Sequence, residues 1–100
     1  MIKVVNIKNG KGKGIEYIGR PSPLGNPFKG NRKQTIPKYR VWLNKQINGR
    51  NQKVIDELSR LKQIALEGDL YLGCWCAPLP CHGDVIKSCI EWCIAKGGAK

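Results

Sequence analysis

The stretch Asp-Leu-Tyr-Leu-Gly-Cys-Trp-Cys-Ala-Pro-Leu-Pro-Cys-His-Gly-Asp, residues 69–84, decides the fold of this 100-residue chain. It begins as an apolar run, is interrupted by two prolines, and ends in residues that favour a helix start. An apolar run bounded by turn residues is typical of a buried central strand. Three of the five cysteines and the single histidine also lie here. We therefore expect the other elements to surround this strand and the loop that follows it.

Apolar runs and amphipathic segments on either side of this stretch predict a small α/β domain. The length suits one domain, which we assign to 1–100. We expect a mixed sheet of about three strands, with helices packed against it. The predicted strands are 2–7, 15–18 and 70–76, and the predicted helices are 35–48, 51–67 and 84–96. The first two strands are close enough in sequence to form a hairpin, and Thr35 is expected to cap the first helix, with Pro37 in its first turn. No chemistry is assigned to the first two helices.

The whole chain has a net charge of +11, and its positive charge is concentrated in the first half. Residues 1–53 contain thirteen Lys or Arg and one acid, Glu16, whereas residues 54–100 contain five basic and six acidic residues. Segregated positive charge attracts phosphate groups. We expect a phosphate-bearing small molecule or nucleotide as the partner, with nucleic acid as an alternative. A solvated basic surface that only aids solubility is the other interpretation.

Several features favour a cytoplasmic protein with no membrane partner. The sequence has no apolar run of about 18 residues, and its N-terminus lacks the apolar core of a signal peptide. The odd number of cysteines, five, favours free thiols, a metal site or a nucleophile over a disulfide framework.

The stretch Gly-Arg-Pro-Ser-Pro-Leu-Gly-Asn-Pro-Phe, residues 19–28, is expected to form a pre-shaped loop. Its three prolines and two glycines exclude helix and regular strand, and proline lowers the entropy lost on ordering. Arg20 could bind phosphate through its guanidinium, and Asn26 could contact a base or sugar. Phe28 could stack on a ring or fill the core. The ligand-binding residues expected from this loop are Arg20, Ser22, Gly25, Asn26 and Phe28.

The helix start, residues 81–84, is the candidate site for chemistry. Ligands of open α/β sheets bind beyond the carboxyl ends of the strands, and a helix N-terminus offers unpaired amides to a phosphate. The same position lowers a cysteine pKa, so Cys81 could be a nucleophile assisted by His82. Gly83 would let a ligand approach the backbone, and Asp84 would cap the helix or orient His82. The catalytic set is therefore Cys81, His82 and Asp84, and the ligand-binding set is completed by Cys74, Trp75 and Gly83.

Zinc is the alternative for the same residues. Thiolates and imidazoles are zinc ligands, and the set would be Cys74, Cys76, Cys81 and His82. The spacing argues against zinc, because paired cysteines in zinc sites usually have two or more residues between them. No cofactor is therefore predicted, with zinc kept as the alternative. In a third interpretation Cys74 and Cys76 are inert core residues.

The chain resembles a family of short bacterial, archaeal and phage proteins that is classed only as a domain of unknown function. The resemblance rests on the stretch at 19–28 and on Cys-x-Cys-x-Pro-x-x-Cys-His-Gly-Asp at 74–84, and it extends over nearly the whole chain. It implies a compact α/β domain in which the two motif loops meet. Its phage members suggest nucleotide metabolism, nucleic-acid modification or counter-defence as settings, without an activity.

Three functional hypotheses follow. The first is a nucleotide- or phosphate-ligand-handling domain with a Cys-His site at a helix N-terminus, for which turnover is left open. The second is a non-catalytic module that binds or sequesters a nucleotide. The third is a basic nucleic-acid-binding protein with a structural zinc.

Overall fold

The computed structural model describes residues 1–7, 14–19, 22–28, 30–75 and 81–96, with Arg32 described by its backbone alone. In these ranges the chain forms three strands and three helices, which confirms the predicted α/β class. In chain order they are β1 (Ile2–Asn6), β2 (Ile15–Tyr17), α1 (Arg32–Asn48), α2 (Gln52–Glu67), β3 (Leu70–Cys74) and α3 (His82–Ala95). No helix in the described part of the chain has the length and apolar character needed to span a bilayer.

The sheet is parallel throughout, with β3 between β1 and β2. The register pairs Ile2 with Leu70 on one side of β3 and Ile15 with Tyr71 on the other. The predicted central position of the third strand is confirmed. The predicted mixed sheet and the hairpin are wrong, because both short strands take their backbone partners from β3 and not from each other. Both edges of a buried strand need such partners.

Gly73 allows the two outer strands to pack tightly against β3. A Cβ at this position would lie 2.6 Å from Ile7 Cγ2 and 2.7 Å from Ile15 Cγ2. Those two isoleucine side chains therefore occupy the space that a side chain on β3 would need. The side chains of Ile7 and Ile15, from either side of β3, therefore cover the backbone of Gly73.

Helix α1 begins three residues earlier than predicted. Asn31 is its N-cap, and the Asn31 Oδ1 accepts a hydrogen bond from the Lys33 N–H at 2.7 Å. Thr35, the predicted cap, is buried within the helix. Pro37 consequently lies inside α1 and has no N–H to donate to the carbonyl one turn earlier. Helix α2 begins at Gln52, one residue later than predicted.

A single hydrophobic core lies between the sheet and the three helices. Helix α3 contacts both other helices and also β1 and β3. Its buried side chains are Val85, Ile86 and Ile90. The first turn of α3 lies at the carboxyl end of β3, because Cys81 contacts Cys74, the last residue of that strand.

Candidate functional site

The candidate site lies where all three parallel strands end. Beyond the regular strands, the Ile7 N–H donates to the Cys74 carbonyl at 3.0 Å, and the Ile18 N–H donates to the Gly73 carbonyl at 3.1 Å. The carboxyl ends of parallel strands share one edge of a sheet, and this edge is the usual ligand position in open α/β folds. The first turn of α3 returns to this edge.

His82 contacts the end of β2 directly and the proline-rich stretch through Tyr39. Its Nε2 lies 2.8 Å from the carbonyl oxygen of Ile18, which immediately precedes the proline-rich stretch. Its ring meets the Tyr39 ring edge-on, with 5.1 Å between centroids. The Tyr39 hydroxyl in turn donates to the Leu24 carbonyl, inside that stretch, at 2.7 Å. The proline-rich stretch is thus connected to His82 through Tyr39, and a direct meeting of the two motif stretches stays a prediction.

The contact with Ile18 also assigns the proton on His82. A carbonyl can only accept, so Nε2 must donate and carry hydrogen. In the neutral ring, Nδ1 is then the basic nitrogen. His82 is half-buried, and its ring is held on two sides.

The Cys81 thiol is buried against a second thiol. The Sγ atoms of Cys74 and Cys81 are 3.0 Å apart, and the two residues are 2% and 3% exposed. The hydrogen bond with Cys74, followed by burial, raises the pKa of Cys81, and the Gly83 N–H opposes this effect only in part. The lowered pKa expected at a helix start is therefore wrong. Burial and a neighbouring thiol outweigh the helix amides.

The amides of the helix start are used by the protein itself. The Cys81 Sγ accepts from the Gly83 N–H at 3.3 Å, and the Asp84 carboxylate accepts from the Cys81 N–H at 3.0 Å. The N-cap is Cys81, and Asp84, the predicted cap, is the third residue of α3. A capping box links the two, because the Cys81 side chain accepts from the Asp84 backbone and the Asp84 side chain accepts from the Cys81 N–H. The carboxylate also places negative charge where phosphate binding was expected.

Gly83 is required by packing against the sheet. A Cβ there would lie 2.9 Å from Ile18 Cδ1, 3.0 Å from Val4 Cγ1 and 3.2 Å from the Cys81 sulfur. Gly83 is itself buried. The close approach that it permits is between α3 and the strands, and not between the backbone and a ligand as expected.

The polar residues of the proline-rich stretch mainly stabilise the loop. The Gly25 N–H donates to the Ser22 carbonyl at 2.9 Å, and the Ser22 Oγ accepts from the Leu24 N–H at 3.3 Å. The Asn26 Oδ1 accepts from the Phe28 N–H at 2.9 Å. Leu24 is fully buried in the core, and Phe28 is half-buried and packs against that core.

Trp75 is the exposed aromatic residue at this edge. It follows β3 directly and is 62% exposed, while its backbone carbonyl accepts from Asn6 Nδ2 at 3.2 Å. A large exposed indole at the carboxyl end of a central strand is available to stack on a ligand ring. Cys74, predicted as a ligand contact, instead points into the core against Cys81.

Two predicted residues, Arg20 and Cys76, lie outside the described residues, so their assignment to phosphate and to zinc stays a prediction. Within the described ranges, no group of three or more His, Cys, Asp and Glu side chains is arranged to hold a metal ion. The donors of the zinc alternative that are described have other partners. Cys74 and Cys81 contact each other, and His82 Nε2 contacts Ile18.

A second feature was missed from the sequence. A cavity of about 400 Å³, here called the α1 cavity, is lined by Phe28, Pro37, Lys38, Val41, Trp42 and Lys45. The sequence feature that could have indicated this cavity is Val41, an apolar residue one turn from Lys38. In the structure Val41 lies on the outer face of the helix and is 55% exposed. Helical spacing alone does not distinguish such a stripe from a core-facing one.

The family model described as "Domain of unknown function (DUF4326)" matches residues 5–92 of the chain. No curated protein and no solved structure matches the chain significantly. The matched range includes both motif stretches and all of the candidate site.

Proposed function

We propose that this chain, which belongs to the DUF4326 family, binds a nucleotide at the carboxyl edge of its sheet and does so without thiol catalysis. The observation that carries the proposal is the convergence of three parallel strand ends with His82 and the exposed Trp75. Open α/β sheets bind ligands at this edge. The proposal follows the second hypothesis drawn from the sequence.

Each side chain would contact a different part of the ligand. The Trp75 indole is large, flat and exposed, which suits stacking on a base. The His82 ring lies at the same edge, with its Nε2 2.8 Å from the Ile18 carbonyl oxygen, and would contact the sugar or the phosphate of the ligand. Arg20 and the basic first half of the chain would supply the positive charge for phosphate.

The state of Cys81 argues against the catalytic version of this proposal. A nucleophilic cysteine reacts as a thiolate and must be reached by its substrate. Cys81 is 3% exposed, and its contact with Cys74 and its burial raise the pKa of the thiol. Its sulfur already acts as the N-cap acceptor of α3. These observations favour a structural role for the Cys81 thiol over a catalytic one.

Incubation with a panel of nucleotides, followed by native mass spectrometry, tests the proposal. We expect at least one nucleotide to bind and to be recovered unchanged, and we expect Cys81→Ser to bind it with wild-type affinity. Trp75→Ala should lose about fivefold or more in affinity, as expected for one stacked base. The matched control is Trp92→Ala on α3, because Trp92 is 63% exposed and Trp75 is 62% exposed.

Three outcomes would overturn the proposal. Absence of binding across the panel removes the ligand class. Equal losses in Trp75→Ala and Trp92→Ala remove the sheet edge as the site. Conversion of a nucleotide that disappears in Cys81→Ser would establish the thiol as catalytic.

A further inference from the structure

The α1 cavity has an apolar floor with a cation at either end. Lys38, Val41, Trp42 and Lys45 lie at positions 0, 3, 4 and 7 along the helix and therefore share one face. The two lysines are separated by about 10 Å along the helix axis, at 1.5 Å per residue. Phe28 and Pro37 complete the lining. The volume of about 400 Å³ falls in the range of ligand sites.

The aromatic side chains of this cavity are held in place from behind. The Trp42 ring packs on buried Tyr39, with 5.3 Å between centroids and 35° between ring planes. Phe28 is half-buried and packs against the hydrophobic core, and its backbone N–H donates to the Asn26 Oδ1. Rings held in this way lose little conformational freedom when a ligand stacks on them.

The lining of the α1 cavity favours an anionic ligand, because it contains two lysines and no acid. Helix α1 contains no Asp or Glu, and no acid occurs in residues 17–55. That segment contains nine basic residues, which are Arg20, Lys29, Arg32, Lys33, Lys38, Arg40, Lys45, Arg50 and Lys53. A basic surface with aromatic side chains inserted in it is typical of single-strand binding, in which bases stack on rings and phosphates contact cations.

We propose that the α1 cavity binds an unpaired base of a single-stranded nucleic acid, with Lys38 and Lys45 contacting phosphates on either side of it. A base exposes its π-face for stacking only when it is unstacked, which favours a single strand over a duplex. Cations on both sides of the apolar floor suit a chain that continues in both directions, and not a free mononucleotide. This site is separate from the nucleotide site at the sheet edge and does not depend on it.

Fluorescence anisotropy of a labelled oligothymidylate, titrated at a series of KCl concentrations, tests the role of the two lysines in binding phosphate. In Lys38→Ala/Lys45→Ala we expect the slope of log K against log salt to shrink by about 1.4, at about 0.7 for each phosphate that the protein no longer neutralises. The matched control is Lys3→Ala/Lys87→Ala, which removes the same charge from β1 and α3 and should leave the slope unchanged. Equal slopes in the two double variants would overturn the proposal.

Trp42 supplies a separate test of stacking. The chain has three tryptophans, so Trp75→Phe/Trp92→Phe leaves Trp42 as the only indole. Its fluorescence should be quenched by the oligonucleotide. Trp42→Leu, checked for folding by circular dichroism, should weaken binding about fivefold or more. The proposal would be overturned by an unquenched Trp42, by no binding at low salt, or by a duplex or a mononucleotide that quenches Trp42 at as low a concentration as the single strand does.

Discussion

The helix start and the outer face of α1 use their conspicuous side chains in opposite ways. In the first turn of α3, Cys81, Gly83 and Asp84 are occupied by capping and packing contacts within the fold. On α1, Trp42 and two lysines line an open cavity. The first region has the residue types of an active site, and the second has those of a scaffold helix. The difference teaches that reactive residue types identify a site only when their polar groups are not already used by the protein.

Tyr39 joins the two regions, and its removal is expected to have the largest effect. Its ring packs on both His82 and Trp42, and it is fully buried. Tyr39→Ala should lower the free energy of unfolding by about 3–5 kcal/mol, because it leaves a large cavity in the core. Tyr39→Phe should cost about 1–3 kcal/mol, because it removes only the hydrogen bond to the Leu24 carbonyl. Urea unfolding measures both, and a larger loss in Tyr39→Phe would contradict this account.

Gly83→Ala separates the packing explanation of this glycine from the ligand explanation. The added Cβ would crowd Ile18 and Val4, so we expect a loss of about 1–3 kcal/mol in unfolding free energy. The matched control is Gly68→Ala, because a Cβ at Gly68 would meet nothing within 4 Å. The control should change stability by about 0.5 kcal/mol or less. Equal effects in the two variants would show that Gly83 is not required by packing.

Alkaline pH should destabilise the protein through the thiols of Cys81, which is buried, and Cys89, which is half-buried. Burial, followed by the nearby Cys93, raises the pKa of Cys89 to about 11, and the pKa of Cys81 is also raised. An unfolded cysteine has a pKa of about 8.5, so above that pH the unfolded chain loses these protons before the folded protein does. Stability is therefore full below that pH and falls as the pH rises towards 11. The slope from each thiol reaches at most about 1.4 kcal/mol per pH unit.

Urea unfolding between about pH 7 and pH 10 measures this decline. Cys81→Ser and Cys89→Ala should each make it shallower than in the wild-type protein. A wild-type protein that becomes more stable over this range would contradict the assignment of protonated thiols. So would a decline that neither substitution changes.

The smallest expected effect on stability is that of Lys38→Ala/Lys45→Ala. Substitutions of exposed residues away from buried contacts usually change stability by about 0.5 kcal/mol or less. The same variant should bind the oligonucleotide less tightly, so the two regions differ in which property a substitution alters. A loss of stability comparable with that of Gly83→Ala would show that Lys38 and Lys45 stabilise the fold and are not reserved for a ligand.

Local patterns in the sequence predicted where the helices and strands lie, whereas the pairing of the strands could be read only from the structure. Apolar periodicity located β3 and α3, whereas the proline-rich stretch, predicted to reach His82, is connected to it through Tyr39. The parallel pairing was missed, because a hairpin between neighbouring strands satisfies the same local pattern. Strand partners are decided by contacts distant in sequence.

The candidate site shows the same limit. The raised pKa of Cys81 depends mainly on a thiol seven residues away and on burial, neither of which follows from a helix-start motif. The α1 cavity requires Phe28, from a loop, to lie beside a helical stripe. The carboxylate of Asp84 accepts from a backbone N–H as expected, because this contact joins close neighbours in sequence, but the N-cap itself is Cys81.

The order of the strands also bears on how the chain is synthesised. β1 and β2 both obtain their backbone partners from β3, and Ile2 pairs with Leu70. A nascent polypeptide can form α1 and α2 early, but its sheet cannot assemble until translation has passed Cys74. During that interval the residues of β1 and β2 have no strand partner, and unpaired strand edges are where nascent chains aggregate most readily.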